Sequence, residues 1–285
     1  MKKNLSKKVI ASIAMMTMCV AIMTGCGEND GDKEICVISR EDGSGTRDAF
    51  TELLGIMEDD VDNTTINAEI TNSTSVMMTT VAGNTEAIGY VSLGSLNDSV
   101  KVIKVDGVEA TTDNVSSGEY AVARPFNIVT GSELSENAQD FINFIMSKEG
   151  QRIISEEGYI PVGGDSSYNA SGLTGKVTLA GSTSVAPVME KIAEKYMELN
   201  EGMTIEIQQS GSGAGITSTI EGVCDIGMSS RDLKDNEIVE GVSETSIAMD
   251  GIAVIVNSNN AVEDLTSEQI KSIFVGETTQ WSEVQ

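Results

Sequence analysis

From residue 34 onward, short apolar runs alternate with longer amphipathic stretches. "ICVIS" (35–39), "AIGYVSL" (87–93), "VKVIKVDG" (100–107), "KVTLAG" (176–181), "CDIGMSS" (224–230) and "GIAVIVN" (251–257) predict strands, several of them rich in β-branched residues. "MTIEIQQSGSGAG" (203–215) reads as a strand running into a Gly-rich turn. "TRDAFTELLGIM" (46–57), "SVMMTTVAG" (75–83), "SVAPVMEKIAEKYMELN" (184–200) and "SEQIKSIF" (267–274) predict helices. "ENAQDFINFIMSKEGQRIISEEG" (136–158) places apolar residues at 141, 144, 145, 153 and 154, close to helical spacing, with Gly158 as a stop. The Gly/Ser/Asn-rich "GYIPVGGDSSYNASGLTG" (158–175) reads as a linker. Strands alternating with helices predict an α/β fold with helices on both sheet faces, in which ligands bind beyond the carboxyl ends of the strands.

The first 33 residues follow a different pattern. Four lysines precede an apolar stretch from Val9 to Met23, closed by Thr24-Gly25-Cys26. A basic region, a short apolar core and small residues predict a signal peptide over 1–25, too short for a comfortable membrane span. Cys26 after Thr-Gly resembles a bacterial lipobox, which implies cleavage before Cys26 and lipid on its sulfur. Residues 26–33 then form a lipidated polar tether, and the remainder is held at the membrane facing outside the cytoplasm. Removing the leader takes away four lysines and no acid, leaving 14 basic and 44 acidic residues, a net −30. Such a surface argues against nucleic acid and anionic lipid as partners.

The chain contains no histidine, so a Ser-His-Asp hydrolase and a histidine metal site are excluded. No cluster of carboxylates with ligand spacing points to a metal, and no cofactor motif is present. "DVDNT" (60–64) lacks the following glycine and distant glutamate of a calcium loop and reads as a surface turn. Cys36 and Cys224 lie in apolar runs and are expected as buried thiols rather than a disulfide. Of the methionines, Met77 and Met78 fit a helix core.

Three turns share one design of strand, small polar turn and helix: "DGSGT" (42–46), "GSTS" (181–184) and "GSGAG" (211–215). Glycine lets the backbone approach a ligand, serine and threonine present hydroxyls, and a helix start leaves its first amides unpaired. Any one such turn is equally well explained by helix capping. All three, with Arg40 at a strand end before the first, form a donor array suited to an oxyanion. Short-range donors and one desolvated guanidinium are compatible with the acidic surface, since charges more than about 8–10 Å away are largely screened. "NSTSV" (72–76) and "GSTSV" (181–185) echo one another at the starts of two helices, as two lobes facing one cleft would require, or by chance.

The segments "ISREDGSGTRDAF", "GSTSVAPVMEKIAEKY", "DIGMSSRDL", "GIAVIVN" and "LTSEQIKSIFVGETTQWSEV" closely resemble the phosphate-binding proteins of bacterial ABC phosphate transporters, over nearly all of residues 35–285. The resemblance implies the two-lobed type II periplasmic-binding-protein fold, each lobe a mixed sheet flanked by helices, with the ligand in the cleft. It implies capture of inorganic phosphate for a membrane ABC permease, without catalysis. By similarity, Arg40, Ser44, Gly45 and Thr46 are the phosphate contacts of one lobe, and Thr183, Ser184 and Ser212 those of the other. Ser230 aligns where some members carry an aspartate that accepts a proton from the ligand, which puts rejection of sulfate in question. Asp42 is left as an acceptor or as the partner orienting Arg40. Arg231 is either a second cation or a packing arginine.

The order of these segments departs from the family: the half carrying "REDGSGT" comes before the half carrying "GSTSVAP". A circular permutation accounts for this, with the old termini joined through 158–175. One lobe then comprises 34–122 plus 250–285 and the other 123–249, with hinges near 120–126 and 246–252. A fragment of a tandem gene is the other arrangement. On function, the alternatives are a surface sensor or interaction module, or a general oxyanion binder.

Overall fold

The computed structural model describes residues 33–284; the leader, Cys26 and all of the tether but Lys33 lie outside the described residues. The strands β1 (Cys36–Arg40), β2 (Glu69–Thr71), β3 (Ala87–Ser92), β4 (Ala123–Thr130), β5 (Gly175–Gly181), β6 (Met203–Gln209), β7 (Ile226–Ser229) and β8 (Ser243–Asn257) form one ladder in the order β6-β5-β7-β4-β8-β3-β1-β2. The outer pairs are parallel on each side, whereas β4 and β8 run antiparallel to their neighbours. Short strands at Val100–Val102 and Ile160–Pro161 also pair with β8. Central β8 is buried from Gly251 to Asn257 and reads as a continuous apolar run, as a strand covered on both faces must.

Apolar burial forms two large cores and a small third cluster of Val129, Ile216, Leu233 and Val242. One core draws on residues 35–122 and 252–281, with Phe50 stacked on Tyr90 at a centroid distance of 3.9 Å and Phe274 closing over both. The second draws on residues 126–248, packing Phe141, Phe144 and Tyr196 beneath β5 and β7. The long strand β8 serves both: it pairs with β4 through Gly251 and with β3 from Ile252 onward.

Several elements differ from their predicted extents. The helix expected over 46–57 is α1 (Gly45–Leu53): Gly55 takes φ 65°, which ends the helix, and Met57 enters a two-residue strand. The single helix expected over 136–158 is two, Glu136–Ile145 and Lys148–Glu156, because the Ser147 hydroxyl accepts the Gly150 amide and starts a new helix. The strand expected over 100–107 breaks at Ile103. Strand β8 begins at Ser243, eight residues earlier than its apolar run. Cys36 is half-buried, Cys224 is buried, and both are free thiols.

The 158–175 segment is tied down rather than loose. Tyr168, Tyr196 and Ser171 all donate to one Asp140 carboxylate oxygen, at 2.6, 2.7 and 2.9 Å. At the other end of the molecule, Ile35 N donates to Thr279 O at 2.8 Å and Trp281 N to Lys33 O at 3.1 Å, so the two described ends lie side by side. No helix of the described residues is long and apolar enough to cross a membrane.

Candidate functional site

Four helix starts meet between the two cores: α1, α2 (Thr74–Gly83), α3 (Ala186–Leu199) and α4 (Ser212–Ile220). Each follows a strand end, so the chain arrives with unpaired amides where the ladder stops. Across the divide Thr46 Oγ1 lies 2.9 Å from Ser184 Oγ, and Thr74 Oγ1 lies 3.0 Å from Ser184 Oγ and 3.3 Å from Thr183 Oγ1. The Thr74 amide donates to Thr183 Oγ1 at 3.4 Å. Ser230 Oγ joins Ser182 Oγ at 3.0 Å and Ser212 Oγ at 3.3 Å. All seven of these residues are buried.

Two glycines make the approach feasible. Gly43 holds φ 80°, which lets the turn double back, and its carbonyl accepts the Gly213 amide of the opposite side at 3.0 Å. Gly45 sits where a Cβ would come within 2.4 Å of Ser212 Oγ and 2.8 Å of Ser230 Oγ. Ser44 caps α1 by accepting the Arg47 amide.

Arg40 ends β1 and is 2% exposed. Its backbone amide donates to Tyr90 Oη at 3.2 Å, and that phenol also meets Ser39 Oγ at 2.9 Å. Burial pushes the Tyr90 phenol up to about 12, so it stays neutral and can brace the strand end. The guanidinium forks onto Glu41 at 2.8 and 2.9 Å and extends one Nη to Thr183 Oγ1 at 3.1 Å, another to Thr74 Oγ1 at 3.5 Å. Asp42 does not orient Arg40, contrary to one of the two roles left open for it. The Asp42 side chain is almost fully exposed and pairs with Arg47 Nη1 at 2.9 Å, and the same nitrogen donates to Arg40 O. Glu41 takes the orienting role because its carboxylate, one residue nearer, reaches both faces of the fork.

Arg231 is enclosed by acidic partners. Two of its nitrogens fork onto Glu237 at 2.7 and 2.8 Å, Nη1 also reaches Asp232 O at 2.7 Å, and Nε lies 2.9 Å from Asp48 of α1. Lys234 reaches the same Asp48 oxygen at 3.1 Å. Burial alone would lift the Glu237 carboxyl, yet the Arg231 fork and the Lys234 amide hold it below the usual carboxylate range. The group is therefore an ion-pair contact across the divide, set apart from the hydroxyl array.

A third buried arginine was not foreseen. Arg124 on β4 and Asp250 on β8 are register partners, 2% and 1% exposed, paired at 3.2 Å. Asp250 also accepts from Ser92 Oγ at 3.0 Å, and Arg124 Nη1 donates to Ser230 O at 3.2 Å. Burial pushes the Asp250 carboxyl up to about 6 against the pull of Arg124 and Ser92.

Every expected contact residue, Arg40, Ser44, Gly45, Thr46, Thr183, Ser184, Ser212 and Ser230, thus falls in one neighbourhood, and the structure adds Thr74, Ser182 and Glu41. The echo of "NSTSV" and "GSTSV" was the signal for Thr74, since Thr74 and Thr183 occupy matching positions and meet. One buried guanidinium, four helix starts and a set of hydroxyls form a donor array able to hold a small oxyanion. Among the described residues no group of three or more His, Cys, Asp or Glu could hold a metal ion.

A model of the PBP superfamily domain matches residues 4–149 and 166–285. The phosphate-binding protein PstS 2 of Streptococcus agalactiae is 49% identical over 294 residues, spanning 100% of this chain and 99% of its own length. The crystal structure of a phosphate-binding protein of a phosphate ABC transporter from Streptococcus pneumoniae superposes with a TM-score of 0.71 at 46% identity, covering 89% of this chain and all of that one. The phosphate-binding protein PstS of Staphylococcus haemolyticus is 38% identical over 133 residues, only 43% of this chain and 42% of its own.

Proposed function

The chain belongs to the PBP superfamily, and from its likeness to the streptococcal phosphate-binding proteins we propose that it captures inorganic phosphate outside the cytoplasm and delivers it to a membrane ABC permease. The observation that carries this reading is the convergence of Arg40 with helix starts from both cores. A tetrahedral oxyanion offers several acceptors in different directions, and only donors arriving from two sides can meet them together. Arg40, Ser44, Gly45 and Thr46 form the ligand's seat on one lobe, with Thr74 beside them. Thr183, Ser184, Ser212 and Ser230 face them from the other. The work is binding with lobe closure about the β4–β8 crossing, not catalysis.

We assign the lobes to 34–122 plus 250–285 and to 123–249, in circularly permuted order relative to phosphate-binding proteins such as the staphylococcal one and in the same order as the streptococcal one. Three observations support this. The apolar cores divide near those boundaries. The described ends lie together. The streptococcal relative aligns over its full length while the staphylococcal one aligns over less than half, the extent one half of a permuted chain would give. The leader over 1–25 and the lipid on Cys26 complete the proposal: the binding lobes are tethered at the outer face of the membrane near the permease.

A general oxyanion receptor is the second reading, and Ser230 favours it. The Ser230 hydroxyl meets the Ser182 and Ser212 hydroxyls, its carbonyl accepts from Arg124, and the Glu41 carboxylate is turned onto Arg40. Calorimetric titration of the chain from residue 27 with phosphate, and in parallel with sulfate, decides between them. Phosphate binding at micromolar affinity or tighter with sulfate silent supports phosphate delivery. Equal binding of both anions supports the second reading, and no heat from either in a folded chain rejects both.

A further inference from the structure

We propose that Arg124 and Asp250 are positioning residues for the phosphate site, acting by fixing the Ser230 backbone from the strand crossing; the assignment rests on the phosphate reading above. Ser230 lies one residue past β7, whose last ladder partner is Ser229 opposite Asn127. Its carbonyl is buried and beyond the ladder, so it needs a donor from elsewhere. Arg124 Nη1 supplies that donor at 3.2 Å, while the Ser230 amide donates to Ser212 Oγ at 3.1 Å. Both ends of the Ser230 peptide are thereby held, and its hydroxyl is placed against Ser182, Ser212 and the space beside Gly45.

The pair stands where β8 exchanges partners. Asp250 is the last but one residue opposite β4, and Ile252 is the first opposite β3, facing Ser92. Through Ser92 Oγ, Asp250 takes a hydrogen bond from the strand of the first core, and through Arg124 it reaches the turn of the second. One guanidinium therefore links the crossing to a residue of the anion array. A purely structural role does not account for the choice of residues. Ion pairs this deeply buried contribute little net stability and are often replaceable by apolar side chains of similar volume. Arg124 Nε moreover has no hydrogen-bond partner among the described residues, an added cost for a group kept only for packing. The Nη1 contact to Ser230 is what an apolar pair could not reproduce.

The test separates stability from affinity in the chain from residue 27, using thermal melting and calorimetric titration with inorganic phosphate. Arg124→Lys keeps the charge beside Asp250, but a single ammonium cannot fork to Asp250 and Ser230 together. It is expected to melt near the wild-type temperature and to bind phosphate about tenfold more weakly. Arg124→Met alone strands Asp250 and should lower the melting temperature. Adding Asp250→Leu should restore stability, while affinity stays about tenfold below wild type. Full recovery of affinity in the stable double variant would overturn the proposal. If the double variant does not fold, Arg124→Lys decides: unchanged affinity overturns it, a tenfold loss with unchanged melting supports it. A wild-type chain silent to phosphate would instead overturn the functional reading, and this assignment with it.

Discussion

Arg40 and Arg231 stand at equivalent-looking places, one closing a strand and one two residues past another, each followed by an acidic residue, in "SREDGSG" and "SSRDLKD". Both are almost fully buried, yet their surroundings differ sharply. Arg231 is enclosed by carboxylates from two directions, Glu237 on its own side and Asp48 across the divide, with Asp232 O taking what remains. Arg40 meets one carboxylate, the partly exposed Glu41, and spends its other contacts on the neutral hydroxyls of Thr183 and Thr74. A guanidinium facing hydroxyls keeps electrostatic potential to offer an anion, whereas one saturated by two carboxylates does not. On the proposed reading, the carboxylates around each arginine, not its strand-end position, separate the anion-facing one from the packed one.

Replacing each arginine sharpens the contrast. Arg40→Met removes the guanidinium that reaches Thr183 and Thr74 and should weaken phosphate binding at least about a hundredfold by calorimetry. Its melting temperature should change little, because the partner left behind, Glu41, can turn to water. Binding within a few-fold of wild type would contradict the role assigned to Arg40. Gly45→Ala tests the close approach beside it. The added Cβ falls 2.4 Å from Ser212 Oγ, so the lobes must part or the serines rotate away from their contacts. About a tenfold loss of affinity is expected, with the separate lobes still folded. Arg231→Met should reverse the pattern seen at Arg40. Glu237 loses its guanidinium and buried Asp48 keeps only Lys234, lowering the melting temperature by roughly 5 °C. Phosphate affinity should fall only about threefold, through a weakened contact between lobes. A large affinity loss with unchanged stability would make Arg231 a ligand after all.

How much of this was legible in the sequence follows from what each signal reports. The alternation of apolar runs and amphipathic stretches located nearly every element, because burial dictates periodicity wherever a strand or helix faces a core. It failed at 136–158, where the apolar positions continue in phase across Ser147 and only a cap, a local hydrogen bond, divides the helix. It also failed at the start of β8, whose residues 243–246 are largely polar and earn their place by pairing with β4. The donor turns were legible because glycine, serine and threonine announce backbone needs directly. The choice between Glu41 and Asp42 as the partner of Arg40 was not, since neighbouring residues past a strand end diverge in ways no spacing rule fixes. Arg124 and Asp250 were invisible for a different reason. They lie 126 residues apart, and only the antiparallel register of β4 and β8 makes them neighbours.

Acidification offers the smallest effect and divides two of the buried clusters by sign. Glu237 is held below its ordinary range by Arg231, so the unfolded chain takes up a proton before the folded one does as pH falls. Its contribution to stability is complete above the usual glutamate range and is lost as pH drops through the lowered value. Asp250 is the reverse. Burial lifts it to about 6, from an ordinary 3.8, so between those values the folded chain holds a proton that the unfolded chain has released. Stability from that site is therefore greatest at the acid end and declines as pH rises through the window. Melting temperatures of wild type, Glu237→Gln and Asp250→Asn between pH 3 and 7 test both signs. The advantage of wild type over Glu237→Gln should shrink by a few degrees toward pH 3. The difference between wild type and Asp250→Asn should shift in favour of wild type as pH falls from 6 toward 4. Parallel curves for all three proteins would mean that neither carboxylate is perturbed by its arginine and its burial as the contacts require, and the distinction between the saturated pair and the crossing pair would rest on geometry alone.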